Sequence, residues 1–513
     1  MSKYSKCRRH VTLAVIGLTV FFGSGLNAQN VMPDPARFLS EHKMEVRGQT
    51  LRYTVIAAET LLRGKRDKPR AALWSTAYVG QGVQAAMRPV VFAFSGGPGA
   101  PGARLNLGFL GPKAIRVDGL PDKDDGAAPF VLTDNPDSPM DVADFVFIDP
   151  VGTGYSRAVG DAEDIDFWSM ASDTKATAEF IHKWVTTNDR WESPKYLLGL
   201  SYGTTRAVAV SAKLAKSPYY MAMNGLILHG PALDFIALDP VVGNPLSHVS
   251  FLPTMAAIAH FHGKAGVGQP LEEFLTEVRA FARSDYFSAL LAGTSASVME
   301  QRDVAERIGQ FLGLEADFVL NERLRVSVAR FRRELLRDQG LTIGYSDGGI
   351  VAPSVDPNAS EPHHGDPSDF REDHSYGAGL HKHYTSDLGV TINRPYHWWN
   401  PIVGRDWSWN PDLSAFSSAQ AYRQAKRTGR IEVASQLATV LRENQDLRVQ
   451  VGVGYYDLFT PFFDSERVFS NFGIDKTRVE MNYYESGHRI WMRDDAKKKL
   501  VADLRRFLRG EAR

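Results

Sequence analysis

Short runs of consecutive apolar residues, each closing on glycine or proline, punctuate the chain, and between them the apolar positions recur every three or four residues. RPVVFAFSGGPG (88–99), DFVFIDP (144–150) and KYLLGL (195–200) predict buried strands, with a helix over about Ser172 to Val185 between the last two. Apolar runs of four to eight residues bounded by turn signals fit strands buried on both faces, and their alternation with helical stretches predicts a parallel sheet covered by helices. Before them, EVRGQTLRYTVIAAETLL and AALWSTAYVG, within about Met44 to Ala85, predict an antiparallel opening.

The rhythm changes after GLILHGPALDF. Residues 251–340 carry helical periodicity, as in LEEFLTEVRAFARS and VAERIGQFLG, whereas 341–415 are rich in Gly, Pro, Asp, His and Trp. We expect a mostly helical insertion and an irregular segment forming a cap. Strands return in LRVQVGVGYYD and RVEMNYYESGH, and DAKKKLVADLRRFLR predicts a closing amphipathic helix. The expected organisation is a leader over 1–28, a first part of the core over 29–235, the cap over 236–440, and the rest of the core over 441–513.

Lys3, Lys6, Arg8 and Arg9 precede an apolar run from Val11 to about Leu26, the pattern of a cleaved export signal. Without those four basic residues, 55 Lys plus Arg face 59 Asp plus Glu. That mild acidic excess argues against nucleic acid or an anionic membrane as partner. The single cysteine, Cys7, lies within this segment, so the mature chain is expected to lack disulfides, thiolate metal sites and a cysteine nucleophile. These features fit a periplasmic or secreted enzyme of bacterial type.

Chemistry enters with Ser201. It stands between Gly199 and Gly203 where a predicted strand gives way to a predicted helix. A serine on such an elbow is held in strained backbone, and side chains two positions away would collide with neighbouring main chain. Its hydroxyl needs a base, and elbow folds supply acid and histidine downstream in that order. Asp457 follows the strand VQVGVGYYD, and His488 follows VEMNYY. His488 is expected to shuttle the proton and Asp457 to orient the imidazole. The glycines of SGGPG leave backbone amides free, and those of Gly97 and Tyr202 are the expected oxyanion donors.

Together SGGPG, DPVGTGYS, GLSYGTTRA, GYYD and GH resemble the serine carboxypeptidase family, in a disulfide-free bacterial branch, in order over roughly residues 45–500. The resemblance implies an α/β-hydrolase fold, with a central mostly parallel sheet and a helical cap. It also implies a Ser201, Asp457, His488 triad and a Gly97 and Tyr202 oxyanion hole; the sequence itself gives no reason to invoke a cofactor. It points to carboxypeptidase action on peptides.

Three departures affect the substrate. The family usually places Asn where this chain has Ser95, Glu where it has Leu200, and Glu near the position of Phe109; those side chains hold the free carboxylate of a peptide. A carboxylate set against Leu200 and Phe109 would lose water without gaining partners, at several kcal/mol. Either the substrate presents no carboxylate there, or an arginine such as Arg104, Arg157 or Arg206 holds it. Ester or amide hydrolysis and aminopeptidase-like cleavage therefore stand as alternatives, and a catalytically silent binding protein is the rival from another class. Without a coupled acid pair, activity is expected to follow the histidine and stay high at neutral pH. His363, His364, Asp366, His374, His381 and His383 are irregularly spaced and read as a solvated cap loop, not a metal site. Trp398, Trp399, Trp407 and Trp409 read as packing of the cap, with one free to line the pocket.

Overall fold

The chain builds a ten-stranded sheet whose middle is parallel and whose leading edge is antiparallel. In chain order its strands are β1 (Arg37–Val46), β2 (Gln49–Arg63), β3 (Pro69–Gly80), β4 (Val90–Phe94), β5 (Asp144–Ile148), β6 (Arg157–Ala158), β7 (Lys195–Leu200), β8 (Gly225–His229), β9 (Arg448–Gly454) and β10 (Val479–Tyr484). Their order across the sheet is β1-β2-β3-β5-β4-β7-β8-β9-β10, with β6 paired to β3. From β5 to β10 all neighbours run parallel. The computed structural model describes residues 34–115, 130–363, 365–369, 372–410 and 430–511. The export signal expected over 1–28 and His364 lie outside them. No helix among the described residues is long and apolar enough to cross a membrane.

The two kinds of strand differ as their covering demands. Strands β4, β5, β7 and β8 are buried at every position, because helices cover both faces of a parallel sheet, and their side chains are therefore mostly apolar. Strand β1 alternates between exposed and more covered positions, as an antiparallel edge strand with one wet face does. One face packs Phe92, Phe94, Leu197, Leu226, Leu228 and Val451 under α1 (Met170–Thr187), α2 (Tyr202–Leu214) and, further on, α6 (Ala434–Glu443). The opposite face packs Ala93, Leu198, Leu200 and Ile227 against α7 (Asp494–Leu508). Leu500, Leu504 and Phe507 recur along α7 at helical spacing, and each buried side chain of this size stabilises by about 1.5–3 kcal/mol.

The insertion is mostly helical, as its periodicity predicts, with α3 (Pro245–Phe261), α4 (Leu271–Phe281) and α5 (Val298–Leu312) as its longest members. Helix α3 is buried from Ser247 to Ala259, and it joins the same apolar cluster as Leu226 and Val451 of the sheet. The expected boundary at residue 440 falls inside α6, which packs on α2 and belongs with the core layer. This architecture is the α/β-hydrolase fold with helical cap insertions. The segment expected to be irregular is partly ordered: Leu341–Ile343 pairs antiparallel with Val351–Pro353, and Glu372–Lys382 is a helix.

Candidate active site

Strand β7 ends at Leu200 and α2 begins at Tyr202, leaving Ser201 alone at the bend with φ 59° and ψ −129°. A non-glycine residue in that region carries about 1–3 kcal/mol of strain, which the surrounding packing must hold in place. The flanking glycines are explained by close approach. A Cβ on Gly199 would stand 2.1 Å from the Gly203 carbonyl oxygen, and one on Gly203 would stand 2.6 Å from that of Phe94. The Ser201 amide donates to the His229 carbonyl at 3.0 Å, tying the bend to β8.

The SGGPG turn lies directly against this elbow. At Gly96 a Cβ would come within 2.6 Å of Ser201 Cβ and 2.8 Å of the Tyr202 nitrogen. Gly97, the next residue, takes φ +102°. Among the described residues neither the Gly97 nor the Tyr202 amide has a hydrogen-bond acceptor, so both can serve an incoming anionic oxygen.

Asp457 and His488 meet at the ends of β9 and β10. His488 Nδ1 lies 2.7 Å from Asp457 Oδ2, with Asp457 fully buried. The carboxylate is saturated: Oδ1 accepts the amides of Phe459 (2.8 Å) and Thr460 (3.1 Å), and Oδ2 also accepts the Thr460 hydroxyl at 2.6 Å. Such a set fixes both the carboxylate and the imidazole it orients. The ring is beside Gly230, since a Cβ there would meet His488 Cε1 and Nδ1 at 3.0 Å, one residue beyond the carbonyl that holds the Ser201 amide. Ser201 and His488 make no hydrogen bond in this structure. Substrate-free serine hydrolases commonly close that bond only on binding.

The floor beneath the serine is apolar. Leu200 and Phe109 are buried in one cluster, and Phe109 stacks on Trp491 at 5.0 Å and lies 6.1 Å from the His229 ring. The Ser95 hydroxyl and both ring nitrogens of His229 are buried with no partner among the described residues. Burial lowers His229 to a pKa of about 4, so the ring is neutral. At the end of β5, Asp149 accepts the Gly102 amide and the Tyr396 hydroxyl, each at 2.9 Å, and burial raises it to about 7.

The three arginines are otherwise engaged. Arg206 is buried, donates to Asp173 at 2.7 Å and to the Ser95 carbonyl at 2.8 Å, and so braces the elbow from behind. Arg104 packs its guanidinium over Trp398 at 4.9 Å. Arg157 pairs with Glu59, and Arg394 shares the same carboxylate at 2.6 Å. Burial pushes the Glu59 carboxyl up, but its bonds to Arg157 and the Ala36 amide, with the charges of both arginines, hold it below the usual range.

Exposed aromatic side chains stand around the serine. Phe459 lies 5.1 Å from the His488 ring, Trp409 lies 6.0 Å from the Tyr202 ring, and Trp399 faces Gly97. Trp407 is buried against Tyr202, and Trp398 packs on Tyr376. His383 is likewise structural: Nε2 pairs with the Tyr78 hydroxyl at 2.8 Å and Nδ1 with Asp387 at 2.9 Å. Asp366 accepts the amides of Tyr345, Ser346 and Ser368. Among the described residues no group of three or more His, Cys, Asp or Glu could hold a metal ion. Thr460 was not singled out from the sequence, although an Asp with Thr three positions on, ahead of a helix, is a recognisable capping pattern.

Residues 74–239, which carry the elbow and the SGGPG turn, match the profile of the family described as serine carboxypeptidase. Over that stretch the chain is similar to that family. It is a serine-type hydrolase of the α/β-hydrolase class, working through an acyl-enzyme. Among solved structures it is similar to Kex1(delta)p, a prohormone-processing carboxypeptidase from Saccharomyces cerevisiae, at 14% identity and a TM-score of 0.53 over 89% of this chain and 91% of that one. It also matches a proline iminopeptidase from Mycobacterium smegmatis (14% identity, TM-score 0.35, 88% and 98% of the chains). A third match is feruloyl esterase B from Aspergillus oryzae (11% identity, TM-score 0.34, 88% and 79%). At these identities the likeness concerns the fold. Comparison with curated proteins finds no match.

Proposed function

We propose that Ser201 is the nucleophile, His488 its general base and acid, Asp457 the orienting carboxylate, and the Gly97 and Tyr202 amides the oxyanion donors. The observation that carries this reading is the buried Asp457–His488 couple at 2.7 Å, set beside a serine held at positive φ between strand and helix. Ser201 attacks the acyl carbon, and His488 takes its proton and returns it to the leaving group. Water then releases the acyl-enzyme by the reverse route.

The substrate we assign is a peptide, amide or ester whose bound end carries no free carboxylate at the floor of the site. Leu200 and Phe109 offer a carboxylate nothing, the polar groups beside them, Ser95 and the neutral His229, carry no charge, Arg206 is paired with Asp173, and Arg157 is tied to Glu59. Exposed Phe459, Trp399 and Trp409 favour an apolar group instead. A fluorophosphonate probe is expected to label the protein and to lose all labelling in Ser201→Ala. Matched peptides with free and amidated C-termini are expected to be cleaved at similar kcat/KM. A strong preference for the free acid would return the chain to ordinary carboxypeptidase action.

A further inference from the structure

A five-residue strap from the insertion, Tyr345 to Gly349, is hydrogen-bonded to both loops that carry the acid and the histidine. On the acid side, the Leu458 amide donates to the Tyr345 carbonyl at 3.2 Å and the Gly348 amide to the Tyr456 carbonyl at 2.9 Å, one residue either side of Asp457. On the histidine side, the His488 amide donates to the Ser346 carbonyl at 2.7 Å, and the Gly487 amide to Asp347 Oδ2 at 3.1 Å. The strap therefore spans the two strand ends whose side chains must meet.

Asp347 is the centre of this arrangement. Its buried carboxylate also accepts the Gly349 amide at 2.8 Å and both Nε and Nη2 of Arg493 at 3.1 Å. Arg493, in turn, lies over the rings of Phe261 and Tyr456 at 4.9 and 5.2 Å. The strap is fixed from its far side: Asp366 accepts the Tyr345 and Ser346 amides at 2.8 and 2.7 Å, and Ser368 Oγ accepts the Asp347 amide at 3.1 Å. Arg489, next to His488, donates to the Ser346 hydroxyl at 3.1 Å and pairs with Asp369. A buried carboxylate with four donors is costly to assemble unless every bond is made, and here all four are.

We propose that Asp347 is a positioning residue for the reaction: it holds the Gly487–His488 backbone in register with the Asp457 loop, which makes the insertion part of the catalytic apparatus and not only a cover. The inference rests on the assignment of Asp457 and His488 proposed above. Fluctuation of the histidine loop by an ångström would lengthen the path from Ser201 to Nε2, and misplacement of that size costs on the order of 100-fold in rate.

The test measures two quantities with one fluorophosphonate probe: the endpoint of labelling, which counts competent sites, and the second-order rate constant per site. Parent and Ser201→Ala report on the serine assignment alone. Asp347→Asn is expected to reach the parental endpoint while labelling roughly 10-fold more slowly, with Asp347→Ala slower still, at roughly 100-fold. With a p-nitrophenyl ester, kcat should fall in the same proportion and KM stay within about twofold. Arg493→Lys, which leaves Asp347 its backbone partners, is expected to slow labelling a few-fold at full endpoint and supplies the test if the Asp347 variants do not fold. A lower endpoint with unchanged rate per site, or parental rates in Asp347→Asn and Arg493→Lys, would overturn the proposal.

Discussion

The serine side of the site and the acid–histidine side are held by different physics. Around Ser201 the work is done by backbone and apolar contact: glycines that admit neighbouring main chain, a strained φ, and a floor of Leu200 and Phe109 with Ser95 and His229 buried unpartnered. Around Asp457 and His488 it is done by hydrogen bonds, with the Asp457 carboxylate fully satisfied and a strap brought in from the insertion. A nucleophile needs a fixed bend and a dry floor, whereas a proton shuttle needs a saturated polar frame to keep one ring orientation.

Breaking each side should therefore fail differently, and the largest effect belongs to the serine. Ser201→Ala is expected to lower turnover on the order of 10⁶-fold with little change in stability, measured with an activated ester and by urea unfolding. Asp149 sharpens the account of the serine side's dryness. Between the unfolded carboxylate value near 3.9 and the folded value of about 7, the folded state holds a proton the unfolded chain has lost. Stability therefore falls as pH rises through that window, by up to about 4 kcal/mol from this group. Relative to parent, Asp149→Asn should gain stability progressively from about pH 4 to 7 and level off above. A difference flat across that range would show that Asp149 is not kept protonated by burial.

Gly199→Ala comes next, because its methyl would overlap the Gly203 carbonyl oxygen. It should lower the urea midpoint by an amount worth about 3 kcal/mol and disable the elbow. The smallest effect is expected on the other side. Thr460→Val removes one bond to Asp457 and leaves two amides and the imidazole, so kcat should drop about tenfold at near-constant KM, the worth of one hydrogen bond to a charged group. Equal losses of stability and no loss of rate in Thr460→Val would erase the distinction between the two sides.

The same contrast explains what the sequence discloses. The elbow is legible because its determinants, Gly199 to Gly203 and the apolar strand before them, are adjacent in the chain, and their reasons are local sterics. The parallel strands are legible too, since full burial forces unbroken apolar runs. The strap is not legible: Asp347 lies 140 residues from Gly487 in sequence, and nothing about SDGG in isolation names a partner. The helix Glu372–Lys382 is obscured by Gly377 and Gly379, which read as breakers. In the fold, Gly379 is where the helix presses on Ile115, whose side chain would overlap any Cβ there. Arg157 shows the opposite limit, a charge near a motif whose partner, Glu59, sits on a strand far earlier in the chain.

Helix α3 of the insertion shares one continuous apolar cluster with strands β8 and β9, and so do Phe274 and Leu275 of α4. Swinging the cap away as a rigid lid would tear that cluster open, and exposing even roughly ten such side chains would cost on the order of 15–30 kcal/mol. Substrate must then reach Ser201 without that helix layer moving aside, beside the exposed rings of Phe459, Trp399 and Trp409.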